Sequence, residues 1–129
     1  SIWNTCAMIV ERMLADTNAL IHQLGGDQHV GELLKDKKVH ISFVTQIELL
    51  SWPGYSTEER TVVSEQIKEF IVTDVNENIK MIAIDIRIKH KLKLADALIA
   101  ATAISLSIPL VTGDKHFNRL KAELDLIKI

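Results

Sequence analysis

The chain has 129 residues, 47% hydrophobic and 25% charged, which places it with ordinary globular domains and outside disordered or collagen-like material. Fifteen Lys and Arg against seventeen Asp and Glu give a formal charge of −2, which excludes a nucleic-acid binder working through bulk positive charge; any hold on phosphate must come from a local patch or from bound cations. The lone cysteine, Cys6, excludes an internal disulfide and a Cys-rich zinc site, and no apolar run reaches the roughly eighteen residues of a membrane span.

The opening SIWNTCAMIVER lacks the basic-then-apolar order of a signal peptide, so a cytoplasmic protein without membrane contact is expected. No repeat or Gly/Ser/Pro-rich linker divides the sequence. A single domain over 1–129 is expected, with 1–12 as an N-terminal extension or lead-in to the first strand. Met8 to Ala15 predicts a first strand, and Thr17 to Leu24 a short helix closed by Gly25-Gly26. Asp27 to Leu34 predicts a second short helix. Val39 to Phe43, rich in β-branched and aromatic residues, predicts a second strand. Val44 to Trp52 predicts a helix stopped by Pro53-Gly54. Ser56 and Glu59 have capping-box spacing and open a longer helix to about Val72. Ile79 to Ile84 predicts a third strand. Leu94 to Ser107 predicts a helix apolar on nearly every side, as a buried helix must be. Leu110 to Thr112 and Leu126 to Ile129 close the list as short strands.

Strands alternating with helices imply an α/β fold of three layers: a mainly parallel sheet of about four to five strands with helices on both faces. In such sheets ligands bind beyond the carboxyl ends of the strands. Four acids fall there. Asp16 follows the first strand, Glu48 lies just inside the helix after the second, Asp96 heads the apolar helix, and Asp114 follows the last internal strand. Each has a structural alternative. Asp16 and Asp96 have the position of N-caps, Thr45 and Glu48 have capping-box spacing, and Asp114 suits a turn after Gly113. Together, four carboxylates on one rim repel and raise one another's pKa unless a cation cancels their charge. Mg²⁺ or Mn²⁺ suits such an all-oxygen set, and in two-metal sites ions about 3.5–4 Å apart clamp the attacking and leaving oxygens of a phosphoryl displacement.

DTNALI, then TQIELL, then KLKLADALIAATA, then PLVTGDKHFNRL, in that order, resemble a PIN-domain ribonuclease of the VapC toxin type, from about Met13 to Ile129. The resemblance implies a PIN-like fold and a metal-dependent endoribonuclease. It maps the family's catalytic and metal-holding acids onto Asp16, Glu48, Asp96 and Asp114, and the Thr and Asn after the first acid onto Thr17 and Asn18. It also implies Mg²⁺ or Mn²⁺, RNA as substrate, homodimers, and a cognate antitoxin whose peptide covers the active-site groove. Three positions depart from the pattern. Ala95 stands where proline is frequent, Gly113 where a basic residue is frequent, and between Ile84 and Lys91 there is no room for a helix of roughly three turns.

Around this core, Thr112 is placed to bond a rim carboxylate, the alternative being an ordinary strand residue. Arg87, Lys89, His90, Lys91 and Lys93 form one basic cluster before Asp96, read as RNA-steering or as a solvated face; Lys115 and His116 follow Asp114 within reach of phosphate, with His116 alternatively packing beside Phe117. No Ser/His/Asp constellation and no glycine-rich phosphate loop is present, since Gly25-Gly26 ends a helix. Trp3 and Trp52 lack the basic-aromatic interleaving of a base-stacking surface. Three rivals remain. One is a non-catalytic PIN-like module acting through antitoxin or dimer contacts. The second is a phosphoacceptor domain, which needs an acid pair after the first strand. The third is an aspartyl phosphatase, which needs an acid where Asn18 stands.

Overall fold

A computed structural model describes residues 10–129; Trp3, Cys6, and the Met8 start expected for the first strand lie outside that range. The elements are β1 (Arg12–Ala15), α1 (Thr17–Leu24), α2 (Gln28–Leu34), β2 (Lys38–Ser42), α3 (Phe43–Leu50), α4 (Thr57–Ile67), β3 (Ile71–Thr73), α5 (Glu77–His90), α6 (Leu94–Leu106), β4 (Leu110–Thr112), a 3-10 helix (Lys115–Leu120) and β5 (Leu126–Lys128). The five strands form one sheet in the order β3-β2-β1-β4-β5, and every neighbouring pair is parallel. The expected fold class is therefore met.

Period-2 alternation splits the core into two layers. In β1, Met13 and Ala15 face Leu20, Val30, Leu49 and Val63 from α1 to α4. Leu14, between them, faces Ile79 and Ile86 of α5, the alanine-rich α6, and Phe117 of the 3-10 helix. The chain steps one way from β1 to β2 to β3, then α5 and α6 carry it back to β4 on the other side of β1. Strand order thus reverses between β1 and β4. The chain leaves β1 into α1 on one face and leaves β4 into the 3-10 helix on the other, which opens a crevice at their carboxyl ends. No helix of the described residues is long and apolar enough to cross a membrane.

Two expected elements change type. The helix opened by Ser56 has its capping box, with Glu59 N donating to Ser56 Oγ and Ser56 N to Glu59 Oε1, but it ends at Ile67 and not near Val72. Ile71–Thr73 is instead strand β3, paired in register with His40–Ser42. Ile79–Ile84 is not a strand; it lies inside α5, opened by Asn76, whose side chain accepts from Ile79 N at 2.9 Å. The expectation of a strand rests on the apolar run from Ile79 through Met81, Ile82 and Ala83 to Ile84, yet helical spacing decides which residues are buried. Ile79, Ala83 and Ile86 pack inward while Ile84 and Ile88 stay 60% and 75% exposed. The helix thought to lack room before Lys91 is therefore present as α5, and the short connection is withdrawn. Smaller shifts are at ends: α3 stops at Leu50 before Trp52, and α6 stops at Leu106 with Ser107 left-handed at its C-cap.

The reassignment of this segment makes a prediction. Ile79→Ala, at a site with no exposed surface, lowers stability by about 2–4 kcal/mol, and Ile84→Ala changes it by less than about 0.5 kcal/mol. Urea unfolding measures both; equal losses would restore the strand.

Candidate active site

Residues at the β1/β4 crevice are held by a short chain of hydrogen bonds. Asp16 caps α1, its Oδ1 accepting from Ala19 N at 2.8 Å. Its Oδ2 accepts from the hydroxyl of Thr112, the buried last residue of β4. Thr112 Oγ1 in turn accepts from Asp114 N at 2.9 Å. One hydroxyl thus ties the ends of β1 and β4 together. Asp16 is only 3% exposed. Burial pushes its carboxyl above the usual carboxylate range, the bonds from Thr112 and Ala19 pull it back, and the charges of Asp114 and Asp96 raise it further.

Asp114 caps the 3-10 helix, its Oδ1 accepting from His116 N at 2.8 Å and standing 3.1 Å from His116 Nδ1. Gly113, just before it, packs so close to the last residue that an added Cβ would meet Ile129 Cγ1 at 3.3 Å, so a basic side chain there would have to displace that end. Asp96 lies in the first turn of α6 but is not its cap; Lys93 holds that position and makes no side-chain bond. The Asp96 carboxylate is thereby left to the crevice, where ligand atoms of Asp96, Asp114 and His116 all lie within 4.8 Å of one another. Burial raises the Asp96 carboxyl, Asp114 raises it again, His116 and Lys93 oppose, and Glu48 adds a further rise.

Glu48 reaches the site from one turn inside α3. The expected Thr45–Glu48 capping pair does not form, because Ser42 caps α3 by accepting from Val44 N at 3.1 Å. Glu48 Oε1 instead accepts from Thr17 Oγ1 at 2.5 Å, and Thr17 Oγ1 stands 3.1 Å from Thr45 Oγ1. Asn18 is exposed at the start of α1. Asp96 and Asp114 thus stand together, Asp16 feels the charge of both, and Asp96 feels that of Glu48.

The basic cluster divides. Lys91 and Lys93 line a cleft of about 130 Å³ with Leu92, Asp96, His116 and Arg119. Lys89 is paired with Asp85 at 3.0 Å along the exposed side of α5, and Arg87 Nε donates to Leu92 O at 3.1 Å, so these two brace the helix end. His90 pairs with Glu123 at 3.0 Å. Lys115 is exposed beside Asp114, and His116 is exposed rather than packed on Phe117. Arg119, absent from the sequence reading, is held over the cleft by donating to His90 O at 3.0 Å. Its only signal in the sequence is its spacing of three from His116 on a helical turn.

A set of carboxylate oxygens gathered at partly desolvated positions, with the Asp16 and Asp96 carboxyls raised first by burial and then by neighbouring charge, is the donor set that hard divalent cations take. The residues present therefore fit Mg²⁺ or Mn²⁺. The PIN domain family model matches residues 13–123. No curated protein matches the chain. Solved structures share the fold. A toxin-antitoxin complex from Klebsiella pneumoniae superposes with a TM-score of 0.78 at 24% identity, over 91% of this chain and 99% of that one. VapBC2 from Rickettsia felis, bound to a DNA fragment from its promoter, gives 0.78 at 20% identity, over 92% and 98%. VapBC-1 from nontypeable Haemophilus influenzae gives 0.75 at 23% identity, over 91% and 97%.

Burial and repulsion at Asp16 carry a sign. Its folded pKa lies above its unfolded one, so ionisation costs stability that is absent when both states are protonated and complete once pH exceeds the folded value. Asp16→Asn keeps the Ala19 cap and removes the charge. The metal-free variant should melt a few degrees above wild type at pH 7, with the gap narrowing as pH falls through the raised folded value and closed below about 4. Thermal scans across pH measure it; a variant melting lower at neutral pH would contradict the repulsion.

Proposed function

The chain belongs to the PIN domain family, and from that premise we propose that it is a metal-dependent endoribonuclease, the toxin of a toxin–antitoxin pair. PIN domains are nucleases, and the observation that supports the finer reading is the pairing of Asp96 with Asp114, whose ligand atoms lie within 4.8 Å, at a crevice where the charges of Asp16 and Glu48 are also felt. These four side chains would hold Mg²⁺ or Mn²⁺. When bound, such an ion supplies the positive charge that the protein lacks at the scissile phosphate and lowers the pKa of water.

The protein's own residues supply position. Thr112 holds Asp16 against the end of β4, and Thr17 holds Glu48 across from it, so neither carboxylate has to be ordered when a ligand arrives. Lys91, Lys93 and Arg119 line the cleft with Asp96, and Lys115 is exposed next to Asp114 in the chain. They would draw the RNA backbone toward the rim by charge, which a chain of net −2 must do locally. A toxin-antitoxin complex is among the structures that share the fold, which supports a cognate antitoxin as partner; a homodimer completes the proposed assembly.

The test is incubation of the pure protein with total tRNA and rRNA, with Mg²⁺ or Mn²⁺ or with chelator. Cleavage is expected only with the ion, and Asp16→Asn and Asp96→Asn should each reduce it by at least about 100-fold while circular dichroism stays unchanged. Wild-type rates in either variant, or cutting in chelator, would overturn the assignment. Metal binding without cleavage of any RNA would favour the non-catalytic module.

A further inference from the structure

The geometry points to His116 as a nitrogen ligand of the cation that Asp96 and Asp114 share, giving a mixed nitrogen-and-oxygen centre that prefers a first-row transition ion such as Mn²⁺ over Mg²⁺. This rests on the metal-centre reading above and goes beyond its oxygen-only set.

Three observations carry it. The turn capped by Asp114 brings the backbone N of His116 to 2.8 Å and its Nδ1 to 3.1 Å from the same carboxylate oxygen, so the ring is delivered by the fold. Ligand atoms of His116, Asp114 and Asp96 come within 4.8 Å of one another. Ligands of one ion with bonds of about 2.1 Å stand roughly 3–4.2 Å apart, so closing the trio around an ion takes shifts of about half an ångström. His116 and Asp96 also line one cleft, and the His116 side chain is 59% exposed, so it can turn without loss of core packing. A mere surface ion pair with Asp114 would account for the second distance but not for the approach of Asp96.

The chemistry follows from the donor atoms. Mg²⁺ takes oxygen ligands and keeps its waters, whereas imidazole nitrogen adds affinity for first-row transition ions. The ion would bind the neutral ring at Nδ1, with the ring hydrogen carried on Nε2.

The experiment loads the full chain with Mn²⁺ alone and records pulsed electron paramagnetic resonance, with parallel titrations of Mn²⁺ and Mg²⁺ by calorimetry. Wild type should show ¹⁴N modulation on the bound Mn²⁺. His116→Ala should lose it, weaken Mn²⁺ roughly tenfold, and shift Mg²⁺ by less than about threefold. Mn²⁺ bound without nitrogen modulation, or modulation that survives in the variant, overturns the role of His116 and leaves the carboxylate centre standing. Failure of wild type to bind Mn²⁺ at all overturns both.

Discussion

Asp16 is almost wholly enclosed, and an ionised carboxylate in that position costs several kcal/mol unless hydrogen bonds and opposite charge offset it. Two bonds do part of this, from Ala19 N and from the Thr112 hydroxyl. The nearest charges, Asp114 and Asp96, work the other way. The protein is thus built with an electrostatic deficit at one point of its surface, and a divalent cation is the simplest species that removes it.

The topology makes that deficit unavoidable. Parallel strands send all their carboxyl ends to one edge, and the reversal of order between β1 and β4 parts the chain there. Asp16 and Asp114 follow the two strands that flank the reversal. Asp96 arrives on the first turn of α6, whose helix is locked between the sheet and α5 by alanines that allow close approach. Glu48 arrives from α3 and is steadied by Thr17, the residue next to Asp16. Asp96 and Glu48 stand on packed helices, and Asp16 and Asp114 are cap residues tied to strand and helix ends by hydrogen bonds, which restrains all four.

Most of this was legible before any coordinates, because strand ends and acid positions both show locally in the chain. Asp16 shows why single-residue arguments fail: it caps a helix and stands at the β1/β4 crevice at once, so a cap does not exclude a second role. Glu48 was misleading in another way. Its spacing from Thr45 mimics a capping box, but Ser42 already caps that helix, and the contact that matters comes from Thr17, distant in sequence. The stretch from Phe70 to His90 defeated periodicity. Its apolar run from Ile79 to Ile84 reads as a strand's would, while a helix buries part of it, and only the Asn76 cap marks the start. The basic residues were legible as a cluster but not as partners. Lys89 and Arg87 are spent on Asp85 and Leu92, and Arg119 joins from a turn whose fold no short pattern announces.

With acids at the crevice and Lys91, Lys93 and Arg119 lining the cleft beside Asp96, the rim is negative at its centre and positive along one wall. Such a surface repels a polyanion until cations fill it and then attracts it. Anomalous diffraction from crystals soaked in Mn²⁺ tests this most directly. The account predicts a strong peak bounded by Asp16, Asp96 and Asp114. Full soaking with no density at that rim, or with manganese bound only elsewhere, would contradict it.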